Sequence, residues 1–549
     1  MRTLPLLVAF SALALGSTFA FGQQAASCES LAKLAVPGAA IASATVVPAG
    51  EFAGPTNPYT GADMSAFYKK LPAFCRVVVK AHPSSDSNIG IEVWMPLSGW
   101  NGKLQGLANG GFAGQINFME LGGSIAHGYA ASGTDTGHNG SPIDAAWALG
   151  HPEKIVDFGY RGIHEMTRVA KLVIAQFYGS PAAHAYFAGC SDGGREALME
   201  AQRYPDDYDG IVAGAPANYW TGLLSLAAFN TQALTATPAS FIPPIKIAAI
   251  ASAVNASCDE LDGVSDGILN DPRRCRFDPA TIQCEPGQDN DKCLTASQVA
   301  TLKTLYAGLR DSSGHQIFPG YLPGAEDGSS GWKTWITGSA PGRGLETAFG
   351  TGYFANMVYD NMNWDLKSFT VDAGIKAAKE KTSAALDATN PDLSAFRRHG
   401  GKLILYHGWD DPAIPALNTV NYYGEVVARM GQSNTDSFLR LYMLPGVQHC
   451  ADGPGPDSFG QSTTWSAADP EHNVRVALEN WVEKGTAPST FIASKLAAGS
   501  TSDSPIMTRP LCPYPQSAHY NGTGDPTTLA ALLALLQASK ALSGASEIV

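Results

Sequence analysis

Gly189-Cys190-Ser191-Asp192-Gly193 fits the pattern G-x-S-x-G, which sets a serine hydroxyl on a tight turn as a nucleophile. The pattern alone is weak, since a chain of this glycine and serine content yields about half a chance match. Its surroundings strengthen it. Residues 185–188 form an apolar strand and residues 195–204 read as a helix with Ala197, Leu198 and Ala201 on one face. Flanking glycines spare a strained turn the clash of Cβ atoms, and a helix N-terminus favours negative charge nearby.

A serine hydroxyl needs a base, and the base needs an orienting carboxylate. On strand–turn–helix scaffolds they follow in the order serine, acid, histidine. Downstream lie His407-Gly408-Trp409-Asp410-Asp411-Pro412 and Pro445-Gly446-Val447-Gln448-His449-Cys450, each after an apolar strand. Strand ends are where open α/β sheets hold ligand chemistry. His449 is the expected base. On physical grounds Asp410 and Asp411 both remain open as the acid. Cys190 adjoins the serine and Cys450 the histidine. If Ser191 and His449 come within hydrogen-bond reach, a Cys190–Cys450 disulfide becomes geometrically plausible. Negative charge on a tetrahedral intermediate needs two N–H donors. The backbone of Asp192 supplies one, and the glycine loop Leu107-Ala108-Asn109-Gly110-Gly111-Phe112 the other, through Gly110.

The elements that must position these groups alternate. Residues 160–178 show helical spacing of Ile163, Met166, Val169, Val173 and Phe177, and residues 211–213, 402–406 and 439–444 are buried strands. Strands alternating with helices predict a parallel sheet covered on both faces. Between residues 221 and 395 the texture changes to turns, four cysteines and an aromatic-rich stretch, which reads as a large insertion. The expected organisation is a leader at 1–22, core at 23–220, insert at 221–395 and core again at 396–549. Residues 1–22 combine Arg2, an apolar run and small residues, the pattern of a secretory signal peptide. No other stretch is read as a membrane span, and the Leu/Ala-rich residues 529–536 are expected to pack as a terminal helix. Export permits disulfides, and nine cysteines leave one over. The net charge of −13, with no basic block, argues against nucleic acid or an anionic membrane as partner.

Within the insert, Cys258-Asp259-Glu260-Leu261-Asp262-Gly263-Val264-Ser265-Asp266-Gly267-Ile268 spaces aspartates by three and four. Carboxylates of Asp259, Asp262 and Asp266 with carbonyls of Val264 and Ile268 would make an all-oxygen set, suited to a structural Ca²⁺ rather than zinc.

The chain resembles the tannase and feruloyl esterase family, whose relatives include the bacterial hydrolase of mono(2-hydroxyethyl) terephthalate. The resemblance runs over roughly residues 28–520. Its most specific pieces are Gly189-Cys190-Ser191-Asp192-Gly193-Gly194-Arg195-Glu196, Gln202-Arg203-Tyr204-Pro205, Tyr208-Asp209-Gly210-Ile211-Val212-Ala213-Gly214-Ala215-Pro216, Tyr406-His407-Gly408 and His449-Cys450. It implies an α/β-hydrolase core with a large inserted lid domain carrying calcium. It selects Asp411 over Asp410, because the family's acid stands three residues after the glycine of His-Gly. It implies disulfides Cys28–Cys75, Cys190–Cys450, Cys258–Cys275 and Cys284–Cys293, with Cys512 left over. The terephthalate hydrolase holds its substrate's carboxylate with a lid arginine. Here the matching stretch, residues 348–354, has none, and Arg343 lies nearby but unaligned. The chain is therefore expected to be a secreted serine esterase for neutral aromatic esters, of feruloyl type, such as plant cell-wall phenolic esters. Gallate or terephthalate monoesters are the alternatives within the family. Peptidase, acyltransferase and non-catalytic binding roles are the alternatives outside it. Trp220, Trp335, Phe349 and Tyr353 are the candidate aromatic walls.

Overall fold

The computed structural model describes residues 26–57, 61–462, 467–497, 504–525, 527–528 and 532–535. The expected leader at 1–22 lies outside them. The central sheet has nine strands: β1 (Ala39–Val47), β2 (Phe74–Ala81), β3 (Ile89–Pro96), β4 (Lys103–Leu107), β5 (Ala130–Thr134), β6 (His184–Cys190), β7 (Gly210–Gly214), β8 (Lys402–Gly408) and β9 (Leu439–Leu444). Their spatial order is β1-β2-β3-β5-β4-β6-β7-β8-β9. The first three strands pair antiparallel, β3 runs antiparallel to β5, and every pair from β5 to β9 is parallel. This is an α/β-hydrolase core.

The central strands are buried on both faces, and successive side chains point to opposite clusters. Phe187, Ile211, Ala213, Leu403 and Leu405 face one apolar cluster. Ala188, Val212, Ile404 and Tyr406 face another. On the first face pack α1 (Gly162–Tyr178) and α2 (Asp192–Arg203), both amphipathic at helical spacing. The chain between β7 and β8 forms the insert. Its helices α3 (Trp220–Thr235), α4 (Leu345–Gly352) and α5 (Val371–Leu386) build a third apolar cluster with Phe112, Phe158 and Ile414 of the core. After β8 and β9 come α6 (Leu417–Met430), packed in the first cluster, and α7 (Val474–Lys484), packed in the second.

One expectation needs correction. Leu532–Leu535 is a strand, paired antiparallel with Ser517–Tyr520, rather than part of a helix. A short Leu/Ala run carries no period that separates the two, and an available pairing partner decides. Residues 238–262 are apolar enough by composition to cross a membrane. Their α-helix, however, covers only Ile247–Cys258, about 18 Å against the roughly 30 Å of a bilayer core.

Four disulfides join Cys28–Cys75, Cys190–Cys450, Cys258–Cys275 and Cys284–Cys293. Cys512 is free and buried, and burial pushes its thiol up to about 11. A thiol held protonated in this way is a poor nucleophile.

Candidate active site

Four loops at the carboxyl ends of β4, β6, β8 and β9 meet over the sheet. Their approach is set by glycines with no room for a side chain. A Cβ on Gly189 would lie 2.3 Å from the Ala108 Cβ, and one on Gly193 would lie 2.7 Å from the Asn109 carbonyl. The turn after β6 therefore presses on the loop after β4. A Cβ on Gly408 would lie 2.1 Å from the Val447 carbonyl, so the loops after β8 and β9 also touch. Ser191 caps this arrangement with φ +68°, a conformation disfavoured for a residue bearing Cβ. It precedes the first turn of α2.

His449 Nε2 lies 2.8 Å from Ser191 Oγ, and His449 Nδ1 lies 2.8 Å from Asp411 Oδ2. Asp411 Oδ1 accepts the N–H groups of Ala413 and Ile414 at 2.8 and 2.9 Å. The carboxylate is fully buried. Burial alone would raise it, but the charge and hydrogen bond of His449, with those of His407, outweigh that and hold it well below the usual range. Asp410 points elsewhere. Burial pushes it up to about 8, with the Glu326 charge adding to the effect, so it is protonated at neutral pH. The geometry thus distinguishes two adjacent aspartates that the residues alone left tied.

His407 is a participant that sequence reasoning passed over as mere motif. It is fully buried. Its Nε2 stands 3.1 Å from Asp411 Oδ2 and 3.0 Å from the Ile414 carbonyl. A carbonyl only accepts, so Nε2 carries the hydrogen, and Nδ1 faces the Thr419 hydroxyl at 2.7 Å. His407 therefore fixes the carboxylate from behind. The signal was its place at the end of a buried strand, four residues before Asp411.

Beside the serine, Gly110 and Asp192 both line one cavity. Their backbone N–H groups have no partner among the hydrogen bonds of the described residues. The Asn109 N–H is taken by Glu196 Oε2 at 2.9 Å, while the Asn109 side chain donates to the Gln115 and Thr134 carbonyls. Glu196, buried in α2, thus pins the glycine loop over the serine. Arg195 is fully buried and bonds Asp192 Oδ1 at 2.6 Å, which anchors the start of α2. The Cys190–Cys450 disulfide ties the serine turn to the histidine loop, with Cα atoms 6.0 Å apart across 260 residues.

The cavity measures about 690 Å³. Trp220, Trp335 and Phe349 line it, with Leu223, Leu224 and Ile414. Trp335 meets the His449 ring edge-on at 4.9 Å and lies nearly parallel to Phe349 at 6.2 Å. Tyr353 is a correction. It is fully buried outside the cavity wall, and its hydroxyl pairs with Thr382 Oγ1 of α5 at 2.7 Å. Tyr353 follows α4 directly, and the segment it opens, Tyr353–Val358, packs against α5. Arg343 is exposed and does not reach the cavity. The one arginine among the described lining residues is Arg475 of α7, whose Nη2 is 3.1 Å from Glu120.

The aspartate loop lies apart from this cavity. Asp259 accepts the Gly267 N–H at 3.0 Å, Asp262 accepts those of Val264 and Asn270, and Asp266 pairs with the buried Arg509. Among the described residues no three acidic, histidine or cysteine side chains are gathered as one metal-binding group. The donor chemistry still suits a hard cation. Burial raises the Asp259 and Asp262 carboxyls, and the Asp266 charge adds to the rise. One guanidinium against three carboxylates leaves the loop short of positive charge.

The family model described as "Tannase and feruloyl esterase" matches residues 75–531. An uncharacterised esterase of Xanthomonas campestris pv. campestris is 39% identical over 537 residues, covering 93% of this chain and 92% of that protein. A probable feruloyl esterase B-2 of Aspergillus terreus is 32% identical, covering 94% and 96%. Among solved structures, feruloyl esterase B from Aspergillus oryzae superposes with a TM-score of 0.83 at 30% identity, covering 92% of this chain and 99% of that one. Tannin acyl hydrolase from Aspergillus niger shares the fold, with a TM-score of 0.71 at 24% identity and coverage of 91% and 92%.

Proposed function

The chain belongs to the tannase and feruloyl esterase family and is a carboxylic ester hydrolase, and from that premise we propose that it is a secreted serine esterase acting on aromatic, feruloyl-type esters. The observation that carries this reading is the Ser191–His449–Asp411 relay opening onto a cavity walled by Trp220, Trp335 and Phe349. His449 takes the Ser191 proton as Oγ attacks the ester carbonyl, then gives it to the departing alcohol. Asp411 stays ionised, keeps the Nδ1–H tautomer in place and stabilises the imidazolium. The N–H groups of Gly110 and Asp192 receive the oxyanion. Water activated by His449 then cleaves the acyl-enzyme. Four disulfides suit an oxidising compartment outside the cytosol.

The test is kcat/KM for methyl ferulate, methyl gallate and mono(2-hydroxyethyl) terephthalate. Methyl ferulate is expected to lead by tenfold or more. Preference for the terephthalate monoester would overturn the reading of a neutral acyl group. Arg475 is the cation such a substrate would need, but it already faces Glu120, so a carboxylate ligand would have to displace that partner.

The aspartate loop supports a second proposal, a structural Ca²⁺. Asp259, Asp262 and Asp266 with the carbonyls of Val264 and Ile268 would hold it, giving an all-oxygen shell and neutralising the loop. Chelation is expected to lower Tm by about 2 °C, the shift for a ligand bound at about a hundredfold excess over Kd in a chain of this size. An unchanged Tm in strong chelator would remove calcium from the account.

A further inference from the structure

Glu346 is a carboxyl group in the wall of an otherwise apolar part of the cavity. It sits on α4 one turn before Phe349, so the two share a helix face, and both line the cavity. The residue is 4% exposed. The Tyr321 hydroxyl donates to Oε1 at 2.5 Å, and Asn230 Nδ2 donates to the same oxygen at 3.1 Å. Oε2 has only a long contact with that amide, at 3.4 Å. Burial pushes the acid up to about 8, so at neutral pH it is a neutral carboxylic acid. With Oε1 receiving two donors, Oε2 carries the proton and offers both a donor and a lone pair.

An aromatic run lines the cavity from the His449 ring through Trp335 to Phe349, and Glu346 stands next to it, one helical turn from Phe349. A flat acyl group anchored at Ser191 and lying along this wall would bring its far end to the carboxyl. A hydrogen-bonding group buried at the end of an apolar slot discriminates strongly, because a ligand lacking the matching polar group leaves the site unpaired.

We propose that Glu346 is a specificity residue that reads a ring hydroxyl at the end of the acyl group distant from the ester. The inference rests on the aromatic-ester reading above and narrows it to hydroxylated aromatic acyl groups.

The experiment compares kcat/KM for methyl 4-hydroxycinnamate and methyl cinnamate, with p-nitrophenyl acetate as a small ester lacking an acyl ring. The wild-type protein is expected to favour the hydroxylated ester by tenfold or more. Glu346→Leu is expected to bring that ratio within about threefold of one, and Glu346→Gln, which keeps a donor and an acceptor, to preserve most of it. A wild-type ratio near one would overturn the proposal without any variant, so it stays testable even if Glu346→Leu fails to fold. So would an equal loss on both cinnamates in Glu346→Leu. Turnover of p-nitrophenyl acetate with neither cinnamate cleaved would instead overturn the aromatic-ester reading on which the proposal rests.

Discussion

Ser191→Ala is expected to lower kcat/KM for any ester substrate by about 10⁴–10⁶-fold, the usual loss when a relay nucleophile is removed. The protein should stay folded. Oγ touches only His449 Nε2 among the described hydrogen bonds, and the backbone N–H of Asp192 is untouched. Alanine keeps Cβ, so the φ of +68° and its strain persist, and Tm should move by no more than a degree or two. The same substitution should abolish labelling by a fluorophosphonate probe, which reacts with an activated serine. Labelling of the variant at the wild-type rate, or turnover within tenfold of wild type, would mean another nucleophile does the chemistry.

The second large effect separates two neighbouring aspartates. Asp411→Asn is expected to cost about 10³–10⁴-fold in kcat. The amide can donate to His449 Nδ1 and so favour the wrong tautomer, and it cannot stabilise the imidazolium. Placed at the Oδ2 position, it would also present a donor where the His407 Nε2–H already donates, while its oxygen would still accept the Ala413 and Ile414 N–H groups. Asp410→Asn should cost less than about tenfold, because the Asp410 carboxyl is already neutral and makes no hydrogen bond to His449. The two also differ in sign with pH. The Asp411 carboxyl is held below its unfolded value, so its contribution to stability is present above that value and is lost only as pH falls through the depressed one. The Asp410 carboxyl is raised to about 8, so its contribution is full below the unfolded carboxylate range and is lost as pH rises from there towards 8. Asp410→Asn should therefore flatten the decline in Tm between about pH 4 and 8, and Asp411→Asn should not. Equal kinetic losses in the two variants would contradict the assignment of the acid.

Local sequence determined the parts of this protein that depend on short-range geometry. A strand, a glycine turn and an amphipathic helix around residues 185–204 could be read directly, since alternation, absence of Cβ and helical spacing are properties of adjacent residues. The neighbouring pairs Cys190–Ser191 and His449–Cys450 linked two distant segments, because a hydrogen bond between one pair of residues brings their neighbours together. The tertiary structure decided what depends on which surfaces meet. Asp410 and Asp411 have the same chemistry one residue apart. Only the loop packing brings Asp411 to His449 and leaves Asp410 turned away from it. Phe349 and Tyr353 lie one helical turn apart, and only α5 decides that the second is core while the first walls a cavity. His407 and Glu346 gained their roles the same way. A side chain's type states what bond it can make, but which partner it meets is set by how loops and elements pack, and no periodicity in its own segment records that.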